Sequence, residues 1–301
     1  MPTLRTATPA DWTAIQNLIR AAEPVDRAAR VALDGSVPWQ PMANWEVFVA
    51  EQAASIVGFG ALLWPTQDNC HAAELLIHPN FRRQGLGTRL ARQLLARADE
   101  RGIGLLGEYQ GMLAGAAPFM QTLGATEVGR WHEMVADPLP RSLEARPLPD
   151  GYTIRHAVAG QDEAVFADIF RDSFSEHRFM STPPVESVRE RWSNPQFDGN
   201  GYALAEYAGE VVGVSAIRAA TLYRGNAMVT AGHIGPVGVR AGHRQRGLAR
   251  ALMIDNLRHA AQVGWETASL SVDEVNLQAQ ALYRSLGFVR QHDWVWWKIK
   301  R

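Results

Sequence analysis

The chain has 301 residues, a formal net charge of −1, 47% hydrophobic residues and 20% charged residues. This length is typical of two domains of about 150 residues each. The near-neutral charge excludes a global field that would attract nucleic acid or an anionic membrane. The single cysteine, Cys70, excludes an internal disulfide framework, and we expect it to be a small apolar filler.

The first half is predicted to begin with a strand (3–7) and a helix (9–22), followed by a hairpin (45–52 with 55–63) and a strand (70–78). The segment Arg82-Arg83-Gln84-Gly85-Leu86-Gly87 then leads into a long helix with an apolar stripe. A strand (103–109), a short helix (112–123) and a strand (125–135) complete this half. Helices mixed with hairpins predict a mixed α/β fold.

The second half repeats the same order of elements. It is predicted to begin with a strand (152–157), a helix (161–174), a hairpin (202–207 with 211–222) and a strand (228–239). The segment Arg244-Gln245-Arg246-Gly247-Leu248-Ala249 then leads into a second long helix. A strand (266–272), a helix (276–286) and a strand (288–299) follow. Four prolines between Pro138 and Pro149 predict a linker, so we expect domains at 1–136 and 151–301, joined by 137–150.

Both glycine-rich segments fit the pattern Arg-x-x-Gly-x-Gly/Ala at a helix start. The first turn of a helix has free N–H groups and a partial positive charge, and glycine lets a ligand approach the backbone closely. The pattern therefore predicts an anion site in each half, typical of a phosphate-bearing ligand.

The loop in each half resembles the acyl-CoA-binding motif of the GCN5-related N-acetyltransferase (GNAT) superfamily. The run from Asn276 to Phe288 adds that family's pattern Asn-x-x-Ala-x-x-Leu-Tyr-x-x-x-Gly-Phe, and the doubled arrangement resembles mycothiol synthase-like acetyltransferases. The resemblance implies two tandem GNAT-type domains, each a mixed, mostly antiparallel twisted sheet flanked by helices.

The resemblance also implies acetyl-CoA as co-substrate and assigns residues to hold it. In the second half these are Val237, Gly238, Val239, Arg244, Gln245, Arg246, Gly247, Leu248, Ala249, Arg250 and Asn276. In the first half they are Leu75, Ile77, Arg82, Arg83, Gln84, Gly85, Leu86, Gly87 and Thr88. The segment Gly235-Pro236-Val237-Gly238 is also unusual within a strand, and it predicts a bulge or a splay that frees N–H groups for a ligand.

Catalytic residues are expected in the second half only. By family position Tyr283 is the general acid, whereas the equivalent positions of the first half hold Met120 and Leu113, neither of which can donate a proton. His233 is our candidate base, although a purely structural role for this histidine is an open alternative. The other candidate bases are Asp273, Glu274, Glu206 and Glu74.

These observations predict an N-acetyltransferase that moves an acetyl group from acetyl-CoA to a primary amine of a small molecule, by direct attack in a ternary complex. A non-catalytic acyl-CoA-binding or sensing protein is the alternative. We expect a cytoplasmic monomer or homodimer that binds no metal, nucleic acid or membrane. The acceptor is not readable, although Glu176, His177 and Arg178 lie in a segment that can shape its pocket.

Overall fold

The computed structural model of the protein describes residues 2–26, 45–65, 70–110, 115–140, 147–174, 183–224 and 227–299. The chain forms two compact units. The first comprises Met1–Trp131, Thr221–Val229 and His292–Arg301, and the second comprises His132–Ala220 and Thr230–Gln291. No helix in the described ranges is long and apolar enough to span a membrane.

The first half of the sequence folds in the predicted order of elements. Its strands are β1 (Thr3–Thr6), β2 (Glu46–Gln52), β3 (Ser55–Pro65), β4 (Cys70–Ile77), β5 (Gly104–Gln110) and β6 (Thr126–Ala136). Its helices are α1 (Trp12–Asp26) after β1, α2 (Leu86–Glu100) after β4 and α3 (Ala116–Thr122) after β5. β1 to β4 pair antiparallel in sequence order, and β4 pairs parallel with β5. Cys70 is buried at the start of β4, close to Gly104, as an apolar filler would be.

The second half has the same pattern with one additional helix. Its strands are β7 (Tyr152–His156), β8 (Tyr202–Tyr207), β9 (Glu210–Arg224), β10 (Ala227–Val239), β11 (Ala268–Asp273) and β12 (Val289–Ile299). Its helices are α4 (Glu163–Phe174) and α5 (Val185–Trp192) after β7, α6 (Leu248–Gln262) after β10 and α7 (Leu277–Ser285) after β11. β7, β8 and β9 are antiparallel neighbours, and β10 and β11 are parallel. The mixed α/β fold with mostly antiparallel pairing is therefore confirmed.

The long helix of each half packs an apolar stripe on its sheet. Leu86, Leu90 and Leu94 of α2 are at most 3% exposed, and Leu248 and Leu252 of α6 are at most 2% exposed. Their spacing of about one turn places them on one helix face. This burial fixes each helix at the end of the strand that precedes it.

The last strand of each half belongs partly to the other unit. β12 pairs antiparallel with β5, with Trp294 opposite Gln110 and Ile299 opposite Leu105. The second part of β6, from His132 onward, belongs to the second unit, where β6 lies beside β11. The compact units therefore differ from the predicted halves 1–136 and 151–301 at β6 and β12, and also at Thr221–Val229, which belongs to the first unit. At β6 and β12 the reason is that the β11 and β5 edges are filled by exchanged strands.

An arginine–carboxylate network repeats in the two halves. The Arg5 guanidinium makes a bidentate ion pair with Asp11 and also binds Glu51 at 2.7 Å. Arg155 does the same with Asp162 and with Glu206, at 2.6 Å. The repeat seen in the sequence thus extends to partly buried polar contacts that tie the first strand of each half to its neighbours.

Candidate active site

The glycine loop of the second unit presents a row of free backbone donors. Gln245 and Gly247 have φ of 61° and 82°, and α6 begins at Leu248. Among the described residues, none accepts a hydrogen bond from the N–H groups of 245–250. The left-handed residues and the helix start together give a concave row of N–H donors, a backbone arrangement that suits an anion.

The loop of the first unit has the same backbone. Arg83 and Gly85 have φ of 61° and 77°, and α2 begins at Leu86. Within the described ranges, the N–H groups of 83–88 also have no protein acceptor. Both copies therefore offer donors of the kind that a pyrophosphate needs.

The first arginine of each motif holds the loop against the preceding strand. Arg82 Nε donates to Ile77 O at 3.0 Å, and Arg244 Nε donates to Val239 O at 2.9 Å. The Arg82 guanidinium also makes an ion pair with Asp26 at 2.6 Å. The Arg83 and Arg246 side chains are exposed, so these two cations are more available to an anion than Arg82 is.

The strand before each loop separates from its parallel neighbour. The β10–β11 ladder pairs Gly232 with Ala268 and His233 with Ser269, and β10 then continues to Val239 without a further β11 partner among the described residues. In the first unit, the β4–β5 ladder likewise ends at Ala72, although β4 runs to Ile77. The edges at Val237–Val239 and Leu75–Ile77 are thus open on the side that the resemblance assigns to the pantetheine arm.

Tyr283 lies on α7, and Asn276 immediately precedes this helix. Tyr283 and Val237 pack against the same apolar cluster, and Arg250 Nη1 in the first turn of α6 donates to Ser285 Oγ at 2.8 Å. The Tyr283 hydroxyl has no hydrogen-bond partner in the described part of the chain, and burial raises the pKa of this phenol to about 12. Asn276 Oδ1 caps α7 by accepting from Ala279 N at 3.1 Å, which leaves its amide donors for a ligand.

His233 lies on β10 near the point where the ladder ends. A hydrogen bond of 2.9 Å joins its Nδ1 to Ser269 Oγ. Burial, and secondarily the Arg218 charge, lower the His233 pKa to about 4. The imidazole is therefore neutral at neutral pH and has one ring nitrogen beyond the serine contact.

The alternative bases have structural contacts. Glu206 is part of the Arg155 network, and Asp273 Oδ1 accepts from Val275 N at 3.2 Å. The backbone carbonyl of Glu274 accepts from the Gln280 amide at 2.9 Å, and Glu74 lies on β4 opposite Ala61. His233 is the candidate that lies on β10 itself, where its ladder with β11 ends.

The first half has no tyrosine equivalent to Tyr283. Met120 packs against the apolar cluster of Ala125, Val295 and Trp297. The predicted positions Leu113, Glu176, His177 and Arg178 lie outside the described residues.

One polar feature was missed at the sequence level. Along β11, Ala268, Leu270 and Val272 join the apolar core, whereas the alternating Thr267, Ser269 and Ser271 hydroxyls bond to Asp137, His233 and Glu133. The period-2 alternation of small polar residues is visible in the sequence and indicates a polar sheet face. The contact of Ser271 with Glu133 is not visible in the sequence, because Glu133 comes from the exchanged strand β6.

Family and structure comparisons agree with this geometry. The model of the Acetyltransferase (GNAT) family matches residues 12–124 and 165–288. The chain therefore belongs to the GNAT family and is an acetyltransferase.

Relatives include a mycothiol acetyltransferase of Streptomyces avermitilis, 30% identical over 95% of this chain and 91% of that protein. Another is a mycothiol acetyltransferase of Thermobispora bispora, 35% identical over 73% of this chain and 72% of that protein. A tandem GNAT protein from the clavulanic acid biosynthesis pathway has a similar fold, with a TM-score of 0.72 and 20% identity over 99% of this chain and 98% of that chain. The GCN5-related N-acetyltransferase from Sphaerobacter thermophilus also has a similar fold. Its TM-score is 0.70 and its sequence identity is 23%, over 99% of this chain and 95% of that chain.

Proposed function

We propose that this protein transfers an acetyl group from acetyl-CoA to the primary amine of a mycothiol-related small molecule, and that the transfer occurs in the second unit. The observation that carries this assignment is the asymmetry between two otherwise equal halves. Both have a row of free N–H donors at a helix start, but only the second has a buried phenol, Tyr283, on the helix that follows β11, where the first half has Met120. The acceptor class rests on the names of the mycothiol acetyltransferase relatives.

The backbone of the second loop would hold the pyrophosphate of acetyl-CoA. The N–H groups of 245–250, the helix dipole of α6 and the exposed Arg246 all favour an anion there. The open β10 edge would hold the pantetheine arm through Val237–Val239, with the Asn276 amide beside it. Acetyl-CoA would supply the activated acyl carbon. The amine nitrogen would form a C–N bond to this carbon as its C–S bond breaks, and the proton lost by the amine would balance the proton gained by the CoA thiolate, so that the products are the amide and CoA thiol.

Two side chains would handle protons. His233, neutral at neutral pH, would accept a proton from the attacking amine, directly or through water. The Tyr283 phenol, kept protonated by burial, would donate to the departing thiolate. Side-by-side binding of both substrates would supply the remaining advantage by fixing their orientation.

The first half would keep the binding function without the chemistry. Its loop has the same left-handed turn and free donors, but Met120 stands where a tyrosine would donate. We therefore propose that the halves 1–136 and 151–301, joined by 137–150, are the duplicated sequence domains, and that catalysis belongs to the second.

Steady-state assays with acetyl-CoA and the free-amine, deacetylated form of mycothiol test this proposal by following release of CoA thiol. Tyr283→Phe should lower kcat by about 10²-fold or more, since general acid catalysis is typically worth 10²–10⁴-fold. Tyr207→Phe is the matched control, because Tyr207 is 41% exposed and packs against Tyr152 in the same unit. Turnover of Tyr283→Phe at the wild-type rate would remove the acid role, and an absence of thiol release by the wild type would remove the acceptor class.

A further inference from the structure

The sheet of the second unit has α4 on one face and α6 on the other. Along β8, Leu204 packs in an apolar cluster with Ile169 of α4. The residues on either side of it, Ala203 and Ala205, pack in a cluster with Leu252 of α6. Because successive side chains of a strand point to opposite faces, the two helices cover opposite sides of this sheet.

His233 of β10 lies on the α4 face. Its neighbour Ile234 belongs to an apolar cluster with Leu257 of α6, and a Cβ added to Gly232 would meet Ile217 of the same cluster at 2.5 Å. Both neighbours therefore face α6, and the His233 side chain between them faces the other side. Its Nδ1 is bonded to Ser269 Oγ, so Nε2 is the ring nitrogen that can meet a ligand.

Two glycines of β10 have opposite surroundings on this face. A Cβ added to Gly238 would lie 2.6 Å from Ser173 Oγ and 2.8 Å from Ser173 Cβ, so α4 fills that position. A Cβ added to Gly235 would have only His233 Nε2 within 4 Å among the described residues beyond its chain neighbours, at 3.9 Å. Gly235 is partly exposed, whereas Gly238 is buried. The face is therefore closed at Gly238 and open at Gly235, beside the available nitrogen of His233.

Gly235 also lies between the two segments to which the proposed function assigns chemistry. The β10–β11 ladder ends with His233, and Val237 begins the edge that would hold the pantetheine arm. At about 3.3 Å per residue, Gly235 is about 7 Å along β10 from each of them. An amine over Gly235 would therefore lie between the candidate base and the expected thioester.

We propose that Gly235 is the floor of the acceptor site, and that the carbon bearing the acceptor amine lies over its empty Cβ position. This inference rests on the proposed function and deepens it, because it assigns a specificity-determining residue to the acceptor. The amine would be within reach of His233 Nε2 on the α4 face, whereas Tyr283 packs against the cluster on the α6 face. Base and acid would thus act from opposite sides of β10, and the missing side chain would leave room for the substituents of the amine-bearing carbon.

Gly235→Ala tests this role by placing a methyl group in the empty position. Gly235 is not among the glycines with positive φ, and 3.9 Å is an ordinary van der Waals distance, so the folded chain accepts this methyl group without strain. With deacetylated mycothiol as acceptor, the KM for the acceptor should rise by about tenfold or more, because one carbon in a binding site typically changes discrimination by about 10–200-fold. The KM for acetyl-CoA should stay unchanged. The larger side chain of Gly235→Val should raise the acceptor KM further.

Two other glycine variants are the controls. Gly115 precedes α3 in the first unit, has φ of −89° and has no described atom within 4 Å of its Cβ position, so Gly115→Ala should keep wild-type kinetics. Gly238→Ala should lower the Tm because Ser173 must move, whereas Gly235→Ala should not. An acceptor KM of Gly235→Ala equal to that of the wild type would overturn the proposal while leaving the acetyl transfer intact. A loss of Tm in Gly235→Ala as large as that in Gly238→Ala would show that the position is filled, and would overturn it too.

A chemical measurement separates this proposal from the acceptor class of the proposed function. Diethyl pyrocarbonate modifies neutral imidazole nitrogens, and mass spectrometry of the peptides reports the rate for each histidine. Gly235→Ala should slow the modification of His233 severalfold, with His156, whose side chain is 45% exposed, as the unaffected internal reference. This result supports the open position over Gly235 even if deacetylated mycothiol is not turned over. Equal His233 rates in the variant and the wild type, or no modification of His233 in the wild type, would refute it.

Discussion

Replacing Gly247 with alanine is expected to damage acetyl-CoA binding by straining the second loop. Gly247 has φ of 82°, and a Cβ added there would meet no atom within 4 Å, so the cost comes from the backbone alone. The left-handed region costs a residue with a Cβ about 1–2 kcal/mol, equivalent to a factor of about 5–30 in an equilibrium constant. Relief of that strain by rotation of the peptide would turn N–H groups away from the pyrophosphate.

Gly264→Ala is the matched control at the other end of the same helix. Gly264 also has φ of 82° and open space around its Cβ position, but it follows the C-terminal end of α6, where no ligand donor is expected. Both variants should lose similar stability in thermal unfolding, about 2–4 °C per kcal/mol for a domain of this size. Only Gly247→Ala should raise the Kd of CoA in calorimetry and the KM of acetyl-CoA. Equal Kd values for the two variants would refute the assignment of this loop as the pyrophosphate site.

Three further predictions concern ionisable groups. Because burial lowers the His233 pKa to about 4, kcat/KM should fall as the pH drops toward 4. The free energy of unfolding should also decline between about pH 6.5 and 4, because the unfolded chain takes up the proton more readily than the folded chain does. In denaturant titrations, His233→Asn should lack this decline. Because the Tyr283 pKa is raised to about 12, kcat should not fall through ionisation of Tyr283 up to about pH 10. A decrease of kcat with rising pH below pH 10 that disappears in Tyr283→Phe would contradict the role of Tyr283 as a protonated acid. Because the Arg155 guanidinium holds the pKa of Asp162 below its usual value, the ionised carboxylate stabilises the fold above about pH 4, and this contribution declines as the pH falls further. Asp162→Asn should cost about 2 kcal/mol in urea unfolding at pH 7, and its difference from wild type should shrink steadily below about pH 4.

The order of elements was predictable because local patterns specify it. Apolar periodicity located the long helices, and glycine after arginine located the helix starts that follow each loop. The end of the β10–β11 ladder after His233 agrees with the splay that Gly235 and Pro236 predict, since proline cannot donate to a ladder and glycine weakens pairing. The roles of Tyr283 and His233 remain predictions that the proposed assays test.

Contacts that cross the duplication were not predictable from single segments. The sequence places β6 at the end of one half and β12 at the end of the other, but it does not say which edge each strand fills. Both edges have similar apolar and hydrogen-bonding demands, so strand exchange satisfies them as well as pairing within one half would. Glu133 was therefore absent from the candidate residues, although its partner Ser271 belongs to a polar alternation that the sequence displays.

The sequence by itself determined the duplication, the two glycine-rich loops at helix starts and the asymmetry between Tyr283 and Met120, because each depends on residue type at a fixed spacing. Only the tertiary structure decided which carboxylates are engaged, how far burial shifts His233 and Tyr283, and which strand lies beside β11. These depend on desolvation and on pairing between segments far apart in the chain.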